Sequence, residues 1–168
     1  MKKVFNKFFI IVFVAMVFCV NFTNVNAQNY YEFTSTDLEG NEVSLSKLLE
    51  KGPVMIGFWA TWCSPCKEEM KEMQKIHDKY KAQGFTYLAL NQDNQKSLSK
   101  VNAYISSHDY NFPVALDTDK KIYEGYGGRD ELPYSVLIDK DKNVVAVHRG
   151  YLPGDEKKIE EEIKSLIK

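Results

Sequence analysis

The apolar run Val54-Met55-Ile56-Gly57-Phe58-Trp59 leads through a short turn into Cys63-Ser64-Pro65-Cys66 and then into a stretch patterned as a helix. No polar residue interrupts the run, as expected of a strand buried on both faces. Such a strand has to be covered by layers above and below, which restricts the chain to an α/β arrangement. The two cysteines, spaced C-x-x-C, fall at the strand-to-helix junction. That places the first sulfur at a helix N-terminus, where unpaired N–H groups and the helix dipole favour a thiolate. A stabilised thiolate is the species that attacks disulfides, so the segment points to thiol–disulfide exchange.

The rest of the chain supplies the layers. Asp37-Leu38-Glu39-Gly40-Asn41-Glu42 carries turn residues between two extended stretches and predicts a hairpin. Ser46 is placed to cap a short helix through Leu49, and Gly52-Pro53 ends it. Beyond Cys66, Met70, Met73, Ile76 and Tyr80 recur at helical spacing, and Gly84 stops the pattern. Strands are expected at Phe85–Leu90, Phe112–Leu116, Tyr134–Ile138 and Val144–His148. Helices are expected around Leu98–Ile105, at Ile122–Tyr126 and around Ile159–Ile167. Strands first alternate with helices and then close in a hairpin. This order predicts a mixed sheet with helices on both faces. There is no repeat and no linker, so residues 28–168 read as one domain.

The first 27 residues read differently. Lys2, Lys3 and Lys7 precede an apolar run from Phe8 to Val20, and Val25-Asn26-Ala27 offers small residues before Gln28. This is the pattern of a cleaved secretory signal peptide. An uncleaved anchor is the alternative, but the run falls short of the ~20 residues that span a bilayer. Acylation at Cys19 is disfavoured because Met16-Val17-Phe18 lacks small residues. Removal of the signal takes three lysines and no acid, leaving 19 basic against 23 acidic residues. That balance argues against a nucleic-acid partner. The remaining cysteines are Cys63 and Cys66, in a compartment where disulfides persist. A bridge between them closes a ring of only four residues, which suits a redox role better than a structural staple.

These residues carry a resemblance to the thioredoxin superfamily, and within it to the exported TlpA/ResA-like thiol–disulfide oxidoreductases. It covers nearly all of residues 33–168. Phe58-Trp59-Ala60-Thr61-Trp62-Cys63-Ser64-Pro65-Cys66 is similar to the active-site segment of that family, and Leu132-Pro133 before Tyr134 is similar to its cis-proline segment. The resemblance implies a thioredoxin-like fold with an N-terminal hairpin extension. It also implies Cys63 as the attacking nucleophile, exposed, with Cys66 as the more buried resolving thiol. Pro133 is expected to be cis, with the backbone of Leu132 open to a partner strand. Trp59 is expected in the core, and Trp62 either there or on the surface beside the thiols. Glu69, three residues after Cys66, matches a helix glutamate of the family, although its charged neighbours also suit a solvated face.

Three departures stand out. Gly57 occupies the place where many thioredoxins hold a buried aspartate that assists the second thiol, so another acid or water has to take that proton. In Asn91-Gln92-Asp93-Asn94, Asp93 is the acid nearest to a glutamate of ResA-like proteins, and it reads equally as a turn residue. Tyr134-Ser135 replaces the usual threonines.

Other chemistries fit less well. A zinc site needs about four ligands, and the C-x-x-C is accompanied only by the dispersed His77, His108 and His148; His77, on the helix beside Ile76, reads as a surface or boundary residue. Copper chaperones of this fold class use wider cysteine spacing. A peroxiredoxin needs a Thr-x-x-Cys context that Thr61-Trp62-Cys63 does not provide. The expectation is therefore an exported, monomeric oxidoreductase without organic cofactor. By the resemblance, it reduces disulfides in proteins such as apocytochrome c and is recharged by a membrane thiol reductant. Ser64-Pro65 does not decide direction, so an oxidase or isomerase stays open, as does an inert binding module of the same fold.

Overall fold

The computed structural model describes residues 30–167. The expected signal peptide lies outside the described residues. Strands β1 (Thr34–Thr36) and β2 (Glu42–Ser44) form the hairpin, followed by helix α1 (Leu45–Leu49) and strand β3 (Val54–Trp59). Then come α2 (Ser64–Tyr80), β4 (Thr86–Asn91), α3 (Leu98–Ser106), β5 (Val114–Leu116) and α4 (Lys121–Gly125). Strands β6 (Tyr134–Ile138) and β7 (Val144–Arg149) and helix α5 (Asp155–Leu166) complete the order.

The main sheet runs β5-β4-β3-β6-β7. Strands β3, β4 and β5 are parallel, and β6 and β7 are antiparallel to their neighbours. This is the expected mixed sheet. β3 is central and every one of its residues is buried, as its unbroken apolar run demanded. Side-chain alternation splits the core into two halves. Met55, Trp59, Tyr87, Ala89 and Leu137 face Met70 and Met73 of α2, Val101 of α3, and Ile159 and Ile163 of α5. Val54, Ile56, Phe58, Leu88, Val136 and Ile138 face Leu45 and Leu49 of α1, Tyr123 of α4 and Phe33.

The hairpin forms its own two-stranded sheet rather than extending the main one. It leans on the β5 edge through an Asp37–Ala115 bridge and a Ser35 hydroxyl donated to the Leu116 carbonyl. Its turn is knotted locally: Asp37 accepts from the backbone of Glu39 and Asn41 and from the Asn41 side chain.

Two sequence expectations are corrected. Ser46 does not cap α1. The helix already begins at Leu45, and the Ser46 N–H donates to Glu32 Oε1. His77 is not a surface or boundary residue. It is buried on α2, where Nδ1 accepts the Tyr87 N–H at 3.3 Å. A polar atom can be buried on an apolar face when a backbone donor meets it. Gly84, by contrast, stops the helix as expected. Its positive φ of 95° turns the chain from a 3-10 turn (Lys81–Gln83) toward β4.

Candidate active site

The site is assembled at the C-terminal end of β3. Trp59 leaves the sheet, and the chain turns so that Cys63 N–H donates to the Ala60 carbonyl at 3.0 Å. Cys63 is the residue that caps α2. Its Sγ accepts the Cys66 backbone N–H at 3.2 Å, so the sulfur takes up one of the unpaired donors of the helix N-terminus. Pro65 stands in the first turn, where its missing N–H costs nothing. Cys63 and Cys66 form a disulfide.

Cys66 is fully enclosed. Cys63 is only 4% exposed, so the expectation of an exposed nucleophile is corrected. In the disulfide, its sulfur is bonded to Cys66 Sγ and held at the helix end by the Cys66 N–H. The expected order, Cys66 deeper than Cys63, is what the structure shows. Trp62, next in the chain, is 71% exposed, whereas Trp59 is core and packs on Tyr104 at 5.4 Å between centroids. Lys67 Nζ lies 4.9 Å from the Tyr104 ring on the same side of the site.

The turn before Cys63 is held from β4. Asp93 is 5% exposed and accepts the Thr61 N–H at 2.7 Å, the Thr61 hydroxyl at 2.8 Å and Asn91 Nδ2 at 2.9 Å. Gln92 N–H donates to the Trp59 carbonyl at 2.8 Å. Asp93 therefore braces the loop that presents Cys63. That work could not be read from the sequence, because its partner Thr61 lies 32 residues away.

Glu69 lies one turn beyond Cys66 on α2, on the face turned to the sheet. It is 2% exposed, so it is not part of the solvated face that its charged neighbours suggested. Ser135 Oγ of β6 donates to its Oε1 at 2.6 Å. Burial pushes its pKa up to about 7, with the Ser135 hydrogen bond opposing and the negative charge of Asp155 assisting.

Gly57 is paired with Ser135 across β3 and β6. A Cβ at Gly57 would lie 2.1 Å from Tyr87 Oη, so the Tyr87 ring already fills the space a side chain at 57 would need. The Leu132–Pro133 bond is cis. Since Tyr134 pairs with Phe58, Pro133 enters β6 at the end of the sheet from which Trp59 leads to Cys63. Gly150 N–H caps its carbonyl at 2.8 Å. Sequence and structure thus bring Cys63, Cys66, Trp62, Glu69 and Pro133 to one end of the sheet. Tyr87 and the brace formed by Asp93 were missed as parts of it. The signal for Tyr87 was available: a glycine inside a buried strand marks a close approach by another group. Among the described residues no cluster of three or more His, Cys, Asp or Glu is arranged to hold a metal.

Known proteins are similar to this chain in sequence and fold. The sequence model described as the AhpC/TSA family matches residues 27–147. A protein of Halalkalibacterium halodurans named thiol-disulfide oxidoreductase ResA is 36% identical over 136 residues, 81% of this chain and 73% of the relative. A ResA of Bacillus thuringiensis is 42% identical over 113 residues, 67% of this chain, and the match spans 63% of the relative's length. A crystal structure of a thiol:disulfide interchange protein of the thioredoxin family from Chlorobium tepidum superimposes with a TM-score of 0.71. It is 26% identical, and the match covers 86% of this chain and 99% of that one. By these matches, and with a mixed sheet and a cysteine pair capping α2, the chain belongs to the AhpC/TSA family of thioredoxin-like proteins, in its ResA-like group.

Proposed function

We propose that this protein is an exported thiol–disulfide oxidoreductase that reduces disulfides in extracytoplasmic proteins. The observation that carries the reading is the position of Cys63 Sγ. It sits at the N-terminus of α2 and accepts the Cys66 N–H, with Cys66 enclosed behind it. After reduction, the same donor and the helix dipole favour the Cys63 thiolate. That thiolate attacks one sulfur of a client disulfide, and the other client sulfur leaves as a thiolate and takes a proton. Cys66 then loses its proton, attacks Cys63 Sγ and releases the second client thiol. Two electrons have passed to the client, and Cys63–Cys66 is oxidised. Glu69 is the group we assign to take the Cys66 proton. It lies one helical turn away, and a carboxyl with a pKa near 7 is matched to that task at neutral pH.

The client strand docks beside Leu132-Pro133, with the exposed Trp62 ring flanking the thiols. Cysteine-bearing exported proteins such as apocytochrome c are the client class, and a membrane thiol reductant recharges the pair. The protein acts as a monomer. Among the described residues no helix is long and apolar enough to cross a membrane. Export rests on the N-terminal pattern, which predicts that the mature protein begins at Gln28 when its mass is measured from the secreted fraction.

Trapping tests the reading. Cys66→Ser protein, incubated with an oxidised c-type haem-attachment peptide, should accumulate a mixed disulfide through Cys63. Cys63→Ser should accumulate none and should lose all turnover. Trapping by the opposite variant would reverse the two roles. The reduction potential settles direction. A value near about −270 mV marks a reductant, and one near about −120 mV a disulfide donor, which would overturn the proposed direction.

A further inference from the structure

Among the described residues three buried side chains carry a polar atom without a partner, Trp59, Gln92 and Tyr87, and of these the Tyr87 hydroxyl lies over Gly57. β3 and β4 are parallel, with Met55 beside Tyr87 and Gly57 beside Ala89. The Tyr87 ring leans along the sheet toward the site until its hydroxyl rests over Gly57, 2.1 Å from where a Cβ would stand. Phe112 holds the ring edge-on at 4.8 Å. Tyr87 is fully buried, and its Oη bonds to nothing among the described residues. A buried hydroxyl without a partner is rare enough in a folded protein to call for a reason.

The surroundings supply one. Gly57 is paired on its other side with Ser135, whose hydroxyl donates to Glu69. The sheet surface around residue 57 therefore carries the Tyr87 phenol from β4 and the Ser135 hydroxyl from β6. The Glu69 carboxyl is buried against Ser135 from α2. Burial, and after it the charge of Glu69, disfavours loss of the Tyr87 phenol proton, so Tyr87 is a donor throughout the working pH range. From α5 and the loop before it, Asp155 and Tyr151 also act on or feel the Glu69 charge, and Asp155 favours its protonated form. Glu68 and Glu72 stand on the same helix.

We propose that Tyr87 is a positioning residue for the resolving step, its unpaired hydroxyl donating through a bridging water to the Glu69 carboxylate and so keeping part of Glu69 ionised and ready to accept the Cys66 proton. Gly57 is glycine in this chain because the phenol needs that space. The proton moves from Cys66 Sγ to Glu69, and Tyr87 keeps its own. The inference rests on the assignment of Glu69 under the proposed function, and its test is separable from that reading.

The test is Tyr87→Phe, which keeps the ring and removes the hydroxyl. The Glu69 carboxyl is titrated by carbon NMR in the oxidised protein, with no client present. Losing a donor to a carboxylate should make Glu69 about tenfold weaker as an acid. The pH midpoint for resolving a Cys63–glutathione mixed disulfide should rise by the same factor. In a Glu69→Gln background Tyr87→Phe should leave that midpoint unmoved. Should Tyr87→Phe fold poorly, Gly57→Ala pushes the phenol from its place and should weaken Glu69 in the same direction. A Glu69 titration identical to that of the parent overturns the inference, even if the protein reduces disulfides. A shifted titration in a protein that reduces none upholds the link between Tyr87 and Glu69 and removes only the proposed function.

Discussion

Asp93 and Glu69 are both buried carboxylates close to the disulfide, and they are treated in opposite ways. Asp93, on the loop after β4, is surrounded by donors: a backbone N–H and a hydroxyl from Thr61, and the Asn91 amide. Glu69, on the inner face of α2, receives one hydroxyl, from Ser135. At Glu69 burial with so few donors raises the affinity for a proton. Asp93 is therefore a fixed anchor for the turn that presents Cys63. Glu69 sits at a proton affinity where it can exchange with a thiol. Burial alone does not make a carboxyl functional or structural; the number of donors aimed at it does.

Several substitutions sharpen or break this contrast. Asp93→Ala leaves the Thr61 N–H and hydroxyl unpaired and should have the largest effect. A loss of about 3 kcal/mol in urea unfolding is expected for three charge-assisted bonds. A loss below about 0.5 kcal/mol would mean that Asp93 is no anchor.

Glu69→Gln should behave in the opposite sense. The folded pKa is raised to about 7, above its unfolded value. The protonated carboxyl therefore supports the fold fully below about pH 4.5, and that support is gone above about pH 7. Glutamine, which never ionises, should be neutral at pH 4 and stabilise by up to about 3 kcal/mol at pH 8. The check is thermal unfolding across that range. A variant equally displaced at both ends would show that Glu69 does not change protonation in the fold. Slower resolution of a mixed disulfide by the more stable variant would link that instability to the chemistry.

Ser135→Ala removes the donor that Glu69 has. It should cost about 1 kcal/mol at pH 8 and raise the Glu69 pKa further, measurable by the same titration. Trp62→Ala should have the smallest effect on stability, within about 0.5 kcal/mol, because the ring is 71% exposed. Its effect should appear in KM for protein clients and not for small dithiols. Equal losses for both substrates would place Trp62 in the chemistry instead of in client binding.

Much of this was legible along the chain. The uninterrupted apolar run at β3 marked a strand covered on both faces, and helical spacing from Met70 to Tyr80 marked α2. Local signals also ended elements where expected, as at Gly84. What local pattern misplaced or left open was the depth of Cys63 and of several polar residues. Glu69 has Glu68 and Lys67 on one side and Lys71 and Glu72 beyond, so its neighbours spoke for solvent. Only the seating of α2 on the sheet turned it inward. His77 was misplaced for the same reason: its partner, the Tyr87 N–H, belongs to another element. Ser46 was misread at closer range, because the helix began two residues earlier than a cap at that serine implies.

The sequence by itself determined the layered fold and the place of the cysteine pair, since periodicity and a strand-to-helix junction are properties of consecutive residues. Only the tertiary structure decided which acids are buried, which are saturated with donors, and why position 57 carries no side chain. Those outcomes depend on groups far apart in sequence, such as Thr61 with Asp93, Glu69 with Ser135 and Gly57 with Tyr87. Local pattern contains no information on the field or the free volume that such distant groups create.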